Sequence, residues 1–327
     1  MTEASIPVDL FNPGQVFACM GFLEAANVLL GQAEGGFDWT NESDVRFKVR
    51  ADGSLNPIEA VLAFLAKAEV RPYAHRGFDR ASKKKKRGEA PTRSVDEGDH
   101  DSEEPLASRT PALLETFPAA RGELLALPVK LVDFTGDRCR CLSVTHWADG
   151  SSRNNFKLYS GNRSAEGIAQ AMLQGVYKKG GKKSANSRSN DKLKTLGVAQ
   201  LWQERRSEMI QNPFQVLTAI GGSFNFDARG AWTAIDAGYS LDEQNQGIEA
   251  SPVVEILAAI GLEHARPFEY ETRKVRYGVW RAFVPPPLAR AALGGVYVGV
   301  PIRIFRFTLA LSGKNKIVTF AEEETSL

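Results

Sequence analysis

Apolar and polar positions follow two rhythms along this chain, one of period near 3.6 and one of period 2, and each predicts its own kind of element. Residues 6–10 read as a strand. Asn12-Pro13 then supplies a capping side chain and a proline at the first helical position, where a missing N–H costs nothing. Val16, Phe17, Met20, Phe22, Leu23, Val28 and Leu30 follow, with apolar side chains around most of the circumference. A helix stopped by Gly31 and buried on several sides is predicted. Val45, Phe47 and Val49 alternate with Asp44, Arg46, Lys48 and Arg50, the pattern of a half-buried strand. Asn56-Pro57 opens a second helix with Ile58, Val61, Leu62 and Leu65 on one face.

Both rhythms then lapse. Residues 78–110 hold almost no large apolar side chain, and the run Lys83-Lys84-Lys85-Lys86-Arg87 is followed by its own counter-ions from Glu89 to Glu104. Such a stretch cannot bury enough surface to offset its ordering entropy, so a disordered charged insertion is expected, with the lysines read as part of a solvated linker. Strands are predicted over 129–134 and 138–145, joined by Thr135-Gly136-Asp137, with a turn at Asp149-Gly150 and a short strand over 156–159. Ser164 caps a predicted helix running to about residue 177, closed by Lys178, Lys179, Gly180 and Gly181.

Further on, residues 192–210 read as a helix, 213–220 as a short one, and Phe224 with Phe226 as one face of a strand. Ser251-Pro252 starts a helix with the stripe Val253, Leu257 and Ile260. The last part is β-rich, with alternation at Val275, Tyr277 and Val279, a long strand over 296–309 and a returning one over 316–320. The mixed order predicts an α+β class with antiparallel sheets. Residues 1–77 form an N-terminal α/β segment of the core, 78–110 the insertion, and 111–327 an α+β main body containing a basic region at 153–206.

Composition narrows the setting. With 43% hydrophobic and 24% charged residues in 327, the chain is ordinary globular material. The N-terminus lacks a basic segment followed by an apolar run, so no secretory signal is read. The scarce cysteines Cys19, Cys139 and Cys141 point to a reducing, cytoplasmic setting rather than a disulfide framework.

A net charge of +2 conceals an uneven distribution. From Arg153 to Arg206 the cations are opposed only by Glu166, Asp191 and Glu204. A segment that repels itself in this way suits a polyanion, and phosphate backbones are the commonest polyanion in cells. The candidate nucleic-acid contacts are Arg153, Asn154, Asn155, Lys157, Arg163, Lys178, Lys179, Lys182, Lys183, Arg188, Lys192 and Lys194. The lysines and arginines would hold phosphates, and Asn154 and Asn155 would read base edges. A solvated lysine-rich loop competes with the first reading, and turn chemistry after Asp149-Gly150 with the second. Gly161-Asn162-Arg163-Ser164 places amides and a cation at a helix start, as a phosphate contact or simply as a cap.

A catalytic constellation is missing from this pattern. Cys139, Cys141 and His146 have a metal-like spacing but want a fourth ligand, and two same-face strand cysteines also serve as small core residues. None of the glycine pairs is followed by the Lys-Ser/Thr of a phosphate loop. The expectation is a non-enzyme with no metal and no cofactor.

Six stretches taken in order add a further reading. They are Asn12-Pro13-Gly14-Gln15-Val16-Phe17-Ala18-Cys19 with Gly21-Phe22-Leu23-Glu24, then Phe156-Lys157-Leu158-Tyr159-Ser160-Gly161-Asn162-Arg163-Ser164, and Phe224-Asn225-Phe226-Asp227-Ala228-Arg229. Ile235-Asp236-Ala237-Gly238-Tyr239-Ser240, the Pro252 to Ala258 segment with Gly261-Leu262, and Arg266-Pro267 complete them. In this order the chain resembles the large subunit of the CRISPR Cascade surveillance complex of type I-G (formerly I-U) systems. The resemblance implies a non-catalytic antiviral role beside the backbone and guide-end-binding subunits and the guide RNA. It implies help in recognising the short motif flanking a DNA target, holding of opened target DNA, and recruitment of a separate helicase–nuclease. A stand-alone RNA-binding or guide-processing factor, and a metal-dependent enzyme built on Cys139, Cys141 and His146, are the alternatives.

Overall fold

Strands Thr2–Pro7 (β1), Glu34–Asp38 (β2) and Arg46–Ala51 (β3) pair antiparallel in the order β1-β3-β2, and helix α1 (Pro13–Leu30) runs between the first two in sequence. The computed structural model describes residues 1–75, 115–117, 129–134, 140–144, 156–159, 164–178, 192–220, 222–230, 249–312 and 315–324. The expected insertion at 78–110 lies outside them. Helix α2 (Pro57–Lys67) leads into a four-stranded sheet in the order β5-β4-β6-β7, made of Glu69–His75 (β4), Glu115–Phe117 (β5), Val129–Asp133 (β6) and Arg140–Val144 (β7). Helix α3 (Ala165–Gln174) precedes the two-stranded pair Val176–Lys178 (β8) and Lys192–Thr195 (β9). Then come α4 (Val198–Glu204), α5 (Arg206–Gln211), and the short pair Thr218–Ala219 (β10) and Glu249–Ala250 (β11). Helix α6 (Pro252–Gly261) and the strands Phe268–Glu271 (β12) and Lys274–Trp280 (β13) follow. The last elements are helix α7 (Pro286–Leu293), Ile302–Ser312 (β14), Asn315–Val318 (β15) and Glu322–Glu323 (β16). The final sheet runs β12-β13-β14-β15, with β16 also paired to β14. The class is α+β, as the periodicities predict.

The centre of the molecule is α1 packed along α6. Every residue from Pro13 to Ala26 is buried, as the apolar circumference of the helix requires. By length and apolar content α1 would span a bilayer, yet 78% of it is enclosed by the rest of the fold. The two helices touch through backbone. A Cβ on Gly21 would lie 2.0 Å from the Leu257 carbonyl oxygen, and one on Gly261 would lie 2.2 Å from that of Phe17. Phe17 then fills the space toward the last sheet, edge-on to Tyr277 at 5.7 Å and to Phe156 at 6.0 Å. Gly21→Ala is therefore expected to cost about 2 kcal/mol or more, because the obstructing atom is backbone and cannot swing aside. A lowered urea midpoint with an unchanged slope would register this.

Several predicted elements take another form. Residues 192–210 are not one helix. Lys192-Leu193-Lys194-Thr195 alternate with period 2 and pair with β8, and helix starts only beyond Gly197. The helix from Ser164 ends at Gln174 rather than near 177, because Gly175 takes a φ of +76° and turns the chain into β8. Segment 213–220 is a single 3-10 turn followed by β10. Phe224 and Phe226 are both buried, but Asn225 between them has a φ of +67°, so no strand forms. Residues 156–159 lie in no strand, although the Leu158 carbonyl accepts from Lys316 N–H at 2.9 Å. The long C-terminal strand begins at Ile302, just past Pro301, which has no N–H for a ladder.

Candidate nucleic-acid interface

Three of the stretches that carry the resemblance meet in one buried polar clasp. Asn12 caps α1, its Oδ1 accepting from Gly14 N–H at 3.1 Å and from Ala228 N–H at 3.2 Å, while its Nδ2 donates to Asp227 Oδ1 at 2.9 Å. Asp227 also accepts from Ser251 N–H at 3.0 Å, at the start of α6, and pairs with Arg229 at 2.6 Å. Glu255, one turn into α6, accepts at Oε1 from Phe226 N–H at 3.0 Å and Asp227 N–H at 2.8 Å. Its Oε2 is buried with no hydrogen-bond partner. Burial, reinforced by the Asp227 carboxylate, pushes the Glu255 carboxyl up to about 8, although the backbone N–H groups oppose the shift. Glu24 on α1 is similarly enclosed and takes a two-pronged hold from Arg290 of α7, at 2.6 and 2.8 Å. These groups face inward and join segments far apart in sequence, so their work is structural.

The cations are arranged differently. Strands β8 and β9 pair antiparallel, and their register sets Lys178 opposite Lys192. Tyr177 faces Leu193 and Val176 faces Thr195, which makes Lys194 the extra residue of a bulge. The pair is held against the fold from below. Gln200 Nε2 donates to the Gln174 carbonyl at 2.8 Å, and Leu196 N–H donates to Thr218 Oγ1 at 3.1 Å. Between the strands run the predicted contacts Lys179, Lys182, Lys183 and Arg188, opposed by Asp191 alone. Those four lie outside the described residues, as do Arg153, Asn154, Asn155 and Arg163. The two ends of the cationic stretch nevertheless meet at β8 and β9, with like charges on facing positions.

No family model, curated protein or solved structure matches this chain. The site is accordingly described by its own chemistry.

Lys157 is half-buried, its Nζ 5.8 Å from the centre of the Tyr159 ring, next to Leu158, whose carbonyl accepts from Lys316 N–H of β15. Arg205 and Arg206, which close the basic region in sequence, are drawn off by carboxylates. The first pairs with Glu208 at 2.5 Å, and the second with Glu59 at 2.6 Å while lying over Trp202. Ser164 Oγ accepts from Gly167 N–H at 3.1 Å, so the start of α3 is a capped helix. Cys141 on β7 is half-buried, while Cys139 and His146 lie outside the described residues. Among the described residues no three His, Cys, Asp or Glu side chains gather as metal ligands.

A second group of cations escapes a search for basic runs. Lys274, Arg276 and Arg306 stand on one face of the β13–β14 pair beside the exposed rings of Phe268 and Tyr270. In sequence Lys274 and Arg276 sit in the short run Arg273-Lys274-Val275-Arg276 while Arg306 stands in a different strand, so no single window shows that all three share one face. Reading strand registers across a hairpin would show it.

Proposed function

We propose that the protein is a non-catalytic nucleic-acid-binding subunit of a type I CRISPR Cascade surveillance complex, filling the large-subunit place. In this reading the Lys178–Lys194 stretch grips a phosphate backbone of guide RNA or opened target DNA. The buried clasp and the α1–α6 pair keep the platform beneath it rigid. The observation that carries the reading is the β8–β9 pairing, which brings together the two ends of a stretch that holds seven lysines and arginines and one carboxylate in sequence. Order of motifs along the chain supports the assignment to Cascade, and the scarcity of cysteine supports a cytoplasmic setting.

Guide pairing would read the target sequence, while this subunit would contribute contacts near the flanking motif and a landing surface for a helicase–nuclease. Co-expression with the neighbouring genes, followed by affinity capture and sequencing of retained nucleic acid, tests the reading directly. The expected result is a particle of several subunits carrying one class of short guide RNA, with weak nucleic-acid binding by the isolated chain. Strong, partner-free binding of RNA would instead favour a stand-alone RNA-binding or guide-processing factor. Stoichiometric zinc in the purified protein would revive an enzyme built on Cys139, Cys141 and His146.

A further inference from the structure

The last sheet has two faces with different fates. On the inner face Val275, Tyr277, Phe305 and Phe307 are buried, and Phe17 of α1 packs against Tyr277 and Phe307. On the outer face α7 covers one end, where a Cβ on Gly278 would lie 2.1 Å from the Ala292 carbonyl oxygen. Beyond that end the outer face is open among the described residues. Register places Phe268, Arg276, Arg306 and Glu322 in one row across four neighbouring strands, with Lys274 and Thr308 in the next. Phe268 is 54% exposed, and the Arg276 guanidinium lies 5.2 Å from the centre of the Tyr270 ring. Large exposed aromatics beside cations on a sheet are a surface on which unpaired bases stack while phosphates meet guanidinium groups.

The cations of this face already hold an anion, and it comes from the chain itself. Glu322, Glu323 and Glu324 follow one another at the C-terminal end, and each reaches a different arginine. Arg306 meets Glu322 at 3.4 Å, Arg276 meets Glu324 at 2.9 Å, and Arg303 pairs with Glu323. Alternation along the strand puts Glu322 and Glu324 on the open face and Glu323 on the other, where Arg303 also lies over Trp39. The Arg306–Glu322 pair is largely exposed on both sides, and such pairs hold weakly enough for a polyanion to displace them.

We propose that this open face is a second docking surface, for an unpaired nucleic-acid strand. Bases stack on Phe268 and Tyr270, and phosphates replace the carboxylates of Glu322 and Glu324 on Arg306 and Arg276. The surface is built on other strands than β8 and β9, in a different sheet, and its argument does not depend on the Lys178–Lys194 stretch.

The test measures binding of a labelled oligothymidylate of about 12 nucleotides to the full chain carrying Lys182→Glu, Lys183→Glu and Lys192→Glu. The Lys178–Lys194 stretch is then silent, and a failure of the Cascade reading leaves the outcome untouched. Glu322→Gln with Glu324→Gln is expected to tighten binding about fivefold and steepen its salt dependence. Phe268→Ala with Tyr270→Ala should weaken it about tenfold, and both rings are exposed enough to be lost without unfolding the sheet. Glu323→Gln, on the opposite face, should change nothing. Duplex of the same length should bind less well, because its bases cannot reach the rings. Indifference to the aromatic pair, equal binding of duplex, or an effect of Glu323→Gln as large as that of the outer pair would overturn the proposal.

Discussion

Reversing Lys182, Lys183 and Lys192 to glutamate is expected to weaken nucleic-acid binding by the Lys178–Lys194 stretch about a hundredfold at moderate salt, whatever the sequence offered. Three phosphate contacts disappear and three repulsions replace them, so the plot of log affinity against log salt should flatten by about two to three in slope. The fold should tolerate the change. Lys192 faces Lys178 in the β8–β9 register, so a glutamate there turns a like-charge pair into an opposite-charge one. An unchanged melting temperature with lost, less salt-sensitive binding is the expected pair of results. Titration of binding by fluorescence anisotropy at several salt concentrations checks it, and an unaltered slope would exclude the Lys178–Lys194 stretch as the binding element.

Glu255→Gln should stabilise the protein increasingly as pH rises. The Glu255 carboxyl is fully enclosed and holds its proton up to about pH 8, whereas the unfolded chain releases it in the ordinary carboxylate range. At low pH both states are protonated, and the stability associated with this proton is fully present. As pH climbs toward 8, unfolding is favoured by proton release, and each unit removes about 1.4 kcal/mol. Beyond about pH 8 the folded state ionises too, and the loss is complete, on the order of 5 kcal/mol in all. Glutamine keeps an oxygen for Phe226 and Asp227 N–H and does not titrate. Urea unfolding of the two proteins at pH 5, 7 and 9 should give curves that diverge upward with pH. Parallel curves would mean that the carboxyl is hydrated or otherwise paired in solution.

The clasp explains why motifs persuasive in series are uninformative singly. Asn12 looks like an ordinary helix cap, and the sequence supports no more, since its partner Asp227 is 215 residues away. Glu255 is one of several acids near a helix start until α6 packs on α1 and encloses it. Lys178 and Lys192 read as the end of one helix and the beginning of another, because lysine has no strong preference and Leu193, Leu196 and Leu201 also fit a helical spacing. Thr195 and Gly175 decide otherwise. The chain turns at Gly175, and pairing with Val176 and Tyr177 supplies hydrogen bonds that a helix at this place would forgo.

Local chemistry by itself determined the α+β class, the starts of α1, α2, α3 and α6 at Asn12, Asn56, Ser164 and Ser251, and the concentration of cations between Arg153 and Arg206. Capping, periodicity and charge density all act within a few residues, so they are written where they operate. Tertiary structure alone decided that Gly21 and Gly261 are contact points and that Glu255 is enclosed, which raises its carboxyl. It also withdrew Arg205 and Arg206 from the basic surface and assembled Phe268, Arg276 and Arg306 into a row. Apart from the Arg205–Glu208 pair, which is local, each of these depends on atoms that strand register or helix packing brings together from separate elements.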